Sequence, residues 1–271
     1  MAEKTNTIVS SMLNKIKNWF NFDKKPYIRF YSTFPGVMDL YPPIRSVELK
    51  RPFTKSETPP NVRPVKQCPG ILKIASTGWI ITAPADFVIQ TTGDGASFSW
   101  REPIQFDKGM PGTESYIASH DSSQTDPILD SAEDTLRTVI KVETPWRVEC
   151  SDDIVFMQLP VTYNNESRFQ AAIGILDPRY SHVVNVQLFW KQLNGETLIR
   201  AGTPLCQYIP IKRKDLQYNS FDVSIENADE LDYQKERAYN FAANSIFLET
   251  DQLSSRLQRA SKILTKYKHR G

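Results

Sequence analysis

All eighteen prolines of this 271-residue chain stand at or before Pro210, and beyond Gly202 the only glycine is Gly271. Residues 211–270 therefore lack both of the strongest breakers of regular structure, and a long helix is the simplest reading of that tail. Residues 31–210 are instead cut into short runs by Pro, Gly, Asn and Asp, the pattern of many strands joined by tight turns. Such punctuation excludes a helical bundle for the body of the chain.

Within that body, apolar runs at Ile71–Ala75, Gly78–Ala83 and Asp86–Thr91 read as strands. Gly93-Asp94-Gly95 then turns the chain into Ser97–Trp100, where polar and aromatic residues alternate with period two. Residues 109–135 read as a long polar loop. Strand signals resume at Val139–Val142, Trp146–Cys150, Ile154–Leu159, Phe169–Leu176, Val183–Trp190, Thr197–Arg200 and Leu205–Ile211. Roughly ten strands with little helix between them predict a mainly-β fold, an antiparallel barrel or sandwich of which a jelly roll is one form.

Two flanking pieces complete the predicted organisation. Residues 1–65 hold an amphipathic helix over Thr5–Phe22, with Val9, Leu13, Ile16 and Phe20 on one stripe, and then a proline-rich arm containing Pro42-Pro43, Pro59-Pro60 and Pro64. That stripe either packs on its own domain or, being basic, docks on a partner or a membrane surface. Residues 66–213 form the β domain. Residues 214–271 form the helical extension, acidic over 226–250 and basic over 251–271, as the helix macrodipole favours. Tyr239, Ala242, Ile246, Leu253, Leu257, Ala260, Leu264 and Tyr267 keep a 3–4 spacing there, a seam for self-association or for an intramolecular strut. The basic end, with Lys262, Lys266, Lys268 and Arg270, has the charge for phosphate contacts with a nucleic acid but no base-reading motif.

Composition narrows the function classes. An apolar fraction of 40%, a charged fraction of 24% and a net charge of +2 are those of an ordinary globular chain without a bulk attraction to polyanions. No run approaches the roughly 18 apolar residues that span a bilayer, and the N-terminus lacks a secretory apolar core, so export by a signal peptide is not expected. Cys68, Cys150 and Cys206 are three and far apart, which fits a reducing compartment better than a disulfide framework. Cys68 and Cys150 read as small core fillers.

Standard catalytic signatures are absent: no GxxxxGKS loop, no GxSxG elbow and no HExxH pair. His120, His182 and His269 have no metal-ligand spacing, so no metal and no resident cofactor is predicted.

The segment Gly174-Ile175-Leu176-Asp177-Pro178-Arg179-Tyr180, followed by a strand to Trp190 and by Gly202-Thr203-Pro204-Leu205-Cys206-Gln207, resembles the β-hairpin region of the dUTPase and dCTP-deaminase fold. That resemblance implies a similar β-barrel. It would give Asp177 the water-orienting carboxylate, Tyr180 the contact with the deoxyribose, the hairpin backbone the reading of a base edge, and Gln207 a structural place, with Mg²⁺ accompanying a nucleotide. The chain departs from the family in lacking the Pro-Arg-Ser-Gly phosphate segment and the glycine-rich tail, and in carrying His182 two residues after the tyrosine.

Over residues 28–213 the chain also resembles an uncharacterised family of T4-like tailed phages, cyanophages and some bacteria. Ile28-Arg29-Phe30-Tyr31, Cys68-Pro69-Gly70-Ile71, Gly78-Trp79-Ile80-Ile81, Pro145-Trp146 and the run Gly202 to Arg213 carry that likeness. It implies a viral or prophage origin, with the virion or the host cytoplasm as the location.

The leading expectation is a non-enzymatic phage-type binding or structural protein that self-associates or meets a phage or host partner. The alternative is a nucleotide-binding or nucleotide-hydrolysing relative of dUTPase acting through Asp177 and Tyr180. The second alternative is a nucleic-acid-associated protein acting through its basic end.

Overall fold

The computed structural model describes residues 26–32, 34, 41–52, 68–105, 115–120, 123, 134–217 and 221–245. The N-terminal stripe, most of the 109–135 segment and the helical seam beyond Ser245 lie outside the described residues. The chain divides into two compact units, residues 1–217 and 218–271.

The first unit is built from antiparallel sheets around one apolar core, in agreement with the predicted fold class. The first sheet joins β1 (Ile28–Ser32), β7 (Ile140–Cys150), β11 (Val183–Trp190) and β9 (Phe169–Ala171) in that order, with β6 (Ile117–Ser119) also on β7. The second runs β10 (Gly174–Leu176), β8 (Ile154–Leu159), β13 (Pro204–Lys212), β3 (Trp79–Thr82) and β2 (Ile44–Arg45). A third sheet holds β12 (Asn194–Ile199), β4 (Phe87–Thr92) and β5 (Phe98–Arg101). The described strands form layered open sheets and no closed barrel.

Period-two alternation explains most of these strands. On β11, Val184, Val186, Leu188 and Trp190 are buried while Val183, Asn185 and Gln187 lie on the other face. Facing residues close the core between sheets: the Phe30 ring lies 5.7 Å from Trp79 and 6.3 Å from Phe156. Each large side chain fully buried in this way contributes about 1.5–3 kcal/mol to folding.

Four stretches depart from the sequence reading, one of them Phe169–Leu176, which is two strands, β9 and β10, in different sheets. Ile71–Ala75, expected as a strand, lies in helix α1 (Pro69–Ser76). Pro69 occupies the first turn, where a missing N–H costs nothing, and Ile71, Ile74 and Ala75 fall at i, i+3 and i+4. Residues 109–135 are not all loop, since β6 pairs Ile117 with Val142. Finally, Val139–Val142 and Trp146–Cys150 are one strand, β7, running through Pro145. Glu143 to Arg147 on β7 face only Asn185 to Val183 on β11, so a bulge takes up the residues around the proline. There the Thr144 hydroxyl donates to Val184 O at 2.5 Å and accepts from Trp146 N, replacing part of the lost ladder.

Gln207, fully buried on β13, locks α1 to the sheets. Its amide N–H₂ donates to Ile74 O (2.8 Å) and Thr77 O (2.7 Å), capping carbonyls at the helix end. Its Oε1 accepts from Thr162 Oγ1 at 2.8 Å and from Thr162 N. Between α1 and β3, Gly78 has φ +79° and passes so close to β13 that a Cβ would lie 2.0 Å from Tyr208 O.

In the second unit, the helix begins at Glu230 rather than directly after β13. Helix α2 (Glu230–Ser245) is started by a reciprocal cap, Asp232 N donating to Asp229 Oδ1 and Asp229 N to Asp232 Oδ2. Ahead of it, Phe221, Val223 and Ile225 are exposed.

Candidate functional site

The segment from Phe169 to Trp190 leaves one sheet, joins another and returns. β9 pairs with the end of β11, Phe169 opposite Trp190 and Ala171 opposite Leu188. After Ala172 the chain crosses over, and β10 pairs with β8 instead, Gly174 opposite Gln158 and Leu176 opposite Phe156. The first half of β11 is thus parted from β10, and a gap opens between the two five-stranded sheets.

Asp177 turns the chain back across that gap. Its backbone carbonyl accepts from Tyr180 N (2.9 Å) and Ser181 N (3.1 Å), and its Oδ1 accepts from Arg179 N at 3.1 Å. Pro178 presets the backbone of the position after the aspartate, so Asp-Pro is suited to starting this turn. His182 closes it, donating no ring proton to a carboxylate but lying with Nδ1 3.4 Å from Val148 O, while its own carbonyl accepts from Val148 N.

The Asp177 carboxylate is engaged by two arginines. Arg213, just past β13, donates Nη2 to Oδ1 at 2.9 Å and Nη1 to Oδ2, and its Nε donates to Asp152 O. Arg179 adds Nη2 to Oδ2 at 3.2 Å. The Arg213 hydrogen bond, with Arg179 adding to it against the opposing cost of burial, holds the Asp177 carboxyl well below the usual carboxylate range. Tyr180, by contrast, is 84% exposed, with the Arg179 guanidinium 5.5 Å from its ring centre. The two residues are close in the turn. Neither lines the gap behind it.

That gap is a cleft of about 170 Å³ lined by Gln158, Gly174, Ile175, Leu176, Ser181, Val183, Asn185, Gln187 and Tyr208. Its chemistry is amide and hydroxyl. Gln158 Nε2 donates to Ala172 O at 2.8 Å and more loosely to Gln187 Oε1 at 3.4 Å, which leaves the Gln187 N–H₂ as a donor. The Tyr208 hydroxyl, pushed well above its ordinary pKa by burial, stays protonated and donates to Asn185 O at 3.2 Å. The side-chain oxygen of Asn185 is buried without a hydrogen-bond partner. An orphaned acceptor of this kind costs free energy and calls for an explanation, such as a group that binds there.

These cleft residues are not among those singled out in the sequence. In the sequence, Asn185 and Gln187 are only the polar half of the β11 alternation, and no local pattern marks them as a lining. Among the described residues, no group of three His, Cys, Asp or Glu side chains is placed to hold a metal ion, and His120 and His182 are not drawn together into one. Cys68 is exposed, contrary to its reading as a core filler; Cys150 is half-buried and Cys206 fully buried. Trp146 and Trp190 belong to the core, whereas Trp100 is partly exposed against Phe98. Lys262, Lys266, Lys268 and Arg270 lie outside the described residues. No described helix is long and apolar enough to cross a membrane.

No protein-family model matches the chain, and no curated protein matches it. Its structural neighbours include dUTPases. The native dUTPase of EIAV aligns at TM-score 0.31 and 9% identity over 75% of this chain and 98% of its own. A mutant dUTPase from phage phi11 of S. aureus aligns at TM-score 0.31 and 8% identity over 76% and 98%. A mutant of the Staphylococcus bacteriophage 80alpha dUTPase with dUpNHpp gives 0.30 and 8% over 76% and 89%.

Proposed function

We propose that this chain is a non-enzymatic binding protein that takes a single planar ring of nucleobase type, free or as the base of a nucleoside or nucleotide, in the cleft between β10 and β11, and that it self-associates. The observation that carries the ligand is Asn185, whose buried Oδ1 has no partner inside the protein. Beside it, the Gln187 amide supplies a donor, so the lining is complementary to a ligand edge with one donor and one acceptor, as on a base. No polar group of the lining is of a type that gains or loses a proton near neutral pH, which favours recognition over turnover. Asp177, the carboxylate that hydrolysis would need, is held by Arg213 and Arg179. Self-association rests on the 3–4 seam of the C-terminal tail, and a phage-type origin on the sequence likeness over residues 28–213.

Calorimetry with deoxyuridine, dUMP, dUTP and dCTP, run beside a pyrophosphate-release assay, tests the reading. Saturable heat without pyrophosphate is the expected result. Turnover that disappears in Asp177→Asn would replace this reading with the hydrolase alternative. No heat with any of them would remove the nucleoside ligand.

A further inference from the structure

We infer a second binding site, for a single acidic sugar ring, in a separate cleft between the Pro160–Glu166 segment, β9 and the residue after β11. The cleft measures about 260 Å³, below the ~300–1,000 Å³ of pockets for drug-sized ligands, and so has room for one ring.

Its walls fit such a ring in two ways. Part of the lining is apolar: half-buried Pro204 and Val161 and buried Phe169 offer surface for the C–H face of a pyranose. The rim carries the amides Asn164, Asn165 and Gln170. Each amide both donates and accepts, as each sugar hydroxyl does. Tyr163, 46% exposed, also belongs to the lining.

The charge selects the acid. Glu166 lines the cleft but is already neutralised, its two oxygens accepting from Arg168 Nε at 2.9 Å and Nη2 at 2.7 Å. Lys191 is different. Its ammonium donates to Gln170 Oε1 at 3.0 Å and forms no ion pair among the described residues. The cleft therefore presents one uncompensated positive charge, which matches one carboxylate.

The backbone is consistent with a site held ready. Tyr163 and Asn165 both have left-handed φ, 57° and 53°. For a residue as bulky as Tyr this conformation is strained, and such outliers concentrate where a loop is shaped for a ligand.

The test is an NMR titration of the full-length protein with sodium D-glucuronate, D-glucose and a glucuronate-ended oligosaccharide. Glucuronate should bind saturably, with glucose about tenfold weaker or more, since a charge-assisted hydrogen bond is lost. Lys191→Met should bring glucuronate down to the level of glucose. The oligosaccharide binding more tightly than the monosaccharide would make the natural ligand a chain end, and the reverse would make it the free acid. Equal binding of glucose and glucuronate, glucuronate binding that survives Lys191→Met, or no binding of either would overturn the proposal. None of these outcomes bears on the β10–β11 cleft.

Discussion

Arg213 grips the carboxylate of Asp177 with both terminal nitrogens, tying the end of β13 to the turn that starts β11. The same guanidinium donates to Asp152 O, and Arg213 N donates to Asp153 O, so three segments distant in sequence meet at one side chain. The junction stands at the turn that joins β10 to β11, beside the cleft and outside its lining.

The first prediction is a dependence on acid. Asp177 titrates lower in the folded protein than in the unfolded chain, mainly because of Arg213. Its stabilising effect is therefore complete above the unfolded carboxylate pKa of about 3.9 and fades as pH falls below that value toward the folded pKa. Asp177→Asn should lower the melting midpoint at pH 7. The gap between wild type and variant should narrow steadily from about pH 5 downward. Melts across pH 2–7 measure it, and a gap that stays constant with pH would refute the ion-pair account.

Gly78→Ala should destabilise the fold by about 2–4 kcal/mol, combining an unfavourable left-handed φ with a steric clash. The added Cβ would stand 2.0 Å from Tyr208 O, in the backbone of the paired strand β13, and no side chain can swing aside to make room. Urea denaturation should show a lower midpoint with an unchanged slope.

Replacing Gln207 by Leu keeps much of the volume but strands the Thr77 carbonyl and the donors of Thr162, and leaves the Ile74 carbonyl only its 3.3 Å bond from Thr77 N. A cost of about 2–4 kcal/mol is expected for burying such groups unpaired. Gln207→Glu should be at least as damaging, since it sets a second acceptor against two carbonyls. Denaturant titration of both variants checks the order.

What could be read from the sequence follows the physical range of each signal. β8 and β11 are legible to the residue because their apolar patterning is local and strong. α1 reads as a strand because four apolar residues around Lys73 suit a strand as well as a helical turn, and Pro69 reads as a breaker although it opens the helix. β7 was split because Pro145 cannot donate to a ladder, and only the opposing strand reveals the bulge that accommodates it. At the site, Asp177 could be read as a turn initiator. Its partner Arg213 lies 36 residues away and leaves no trace in any local pattern. Asn185 and Gln187 passed as the ordinary polar half of an alternation, because the parting of β10 from β11 that turns them into a lining is a property of sheet pairing.

The last prediction separates stability from binding at Asn185. Its Oδ1 is buried without a partner, so the fold gains nothing from that oxygen in the empty protein. Asn185→Val removes the orphaned acceptor and puts a β-branched residue into a strand that already alternates valines. The melting midpoint should therefore hold or rise. Ligand binding in the β10–β11 cleft should fall about tenfold or more, the loss of one well-placed hydrogen bond. Gln187→Val, which removes the neighbouring donor, should weaken the same ligand without rescuing stability, since the Gln187 side chain is bonded to Gln158 in the empty protein. A thermal melt and a calorimetric titration on each variant decide the matter. A marked drop in the Asn185→Val midpoint would mean that the amide serves the fold, and the assignment of the cleft as the binding site would lose its main support.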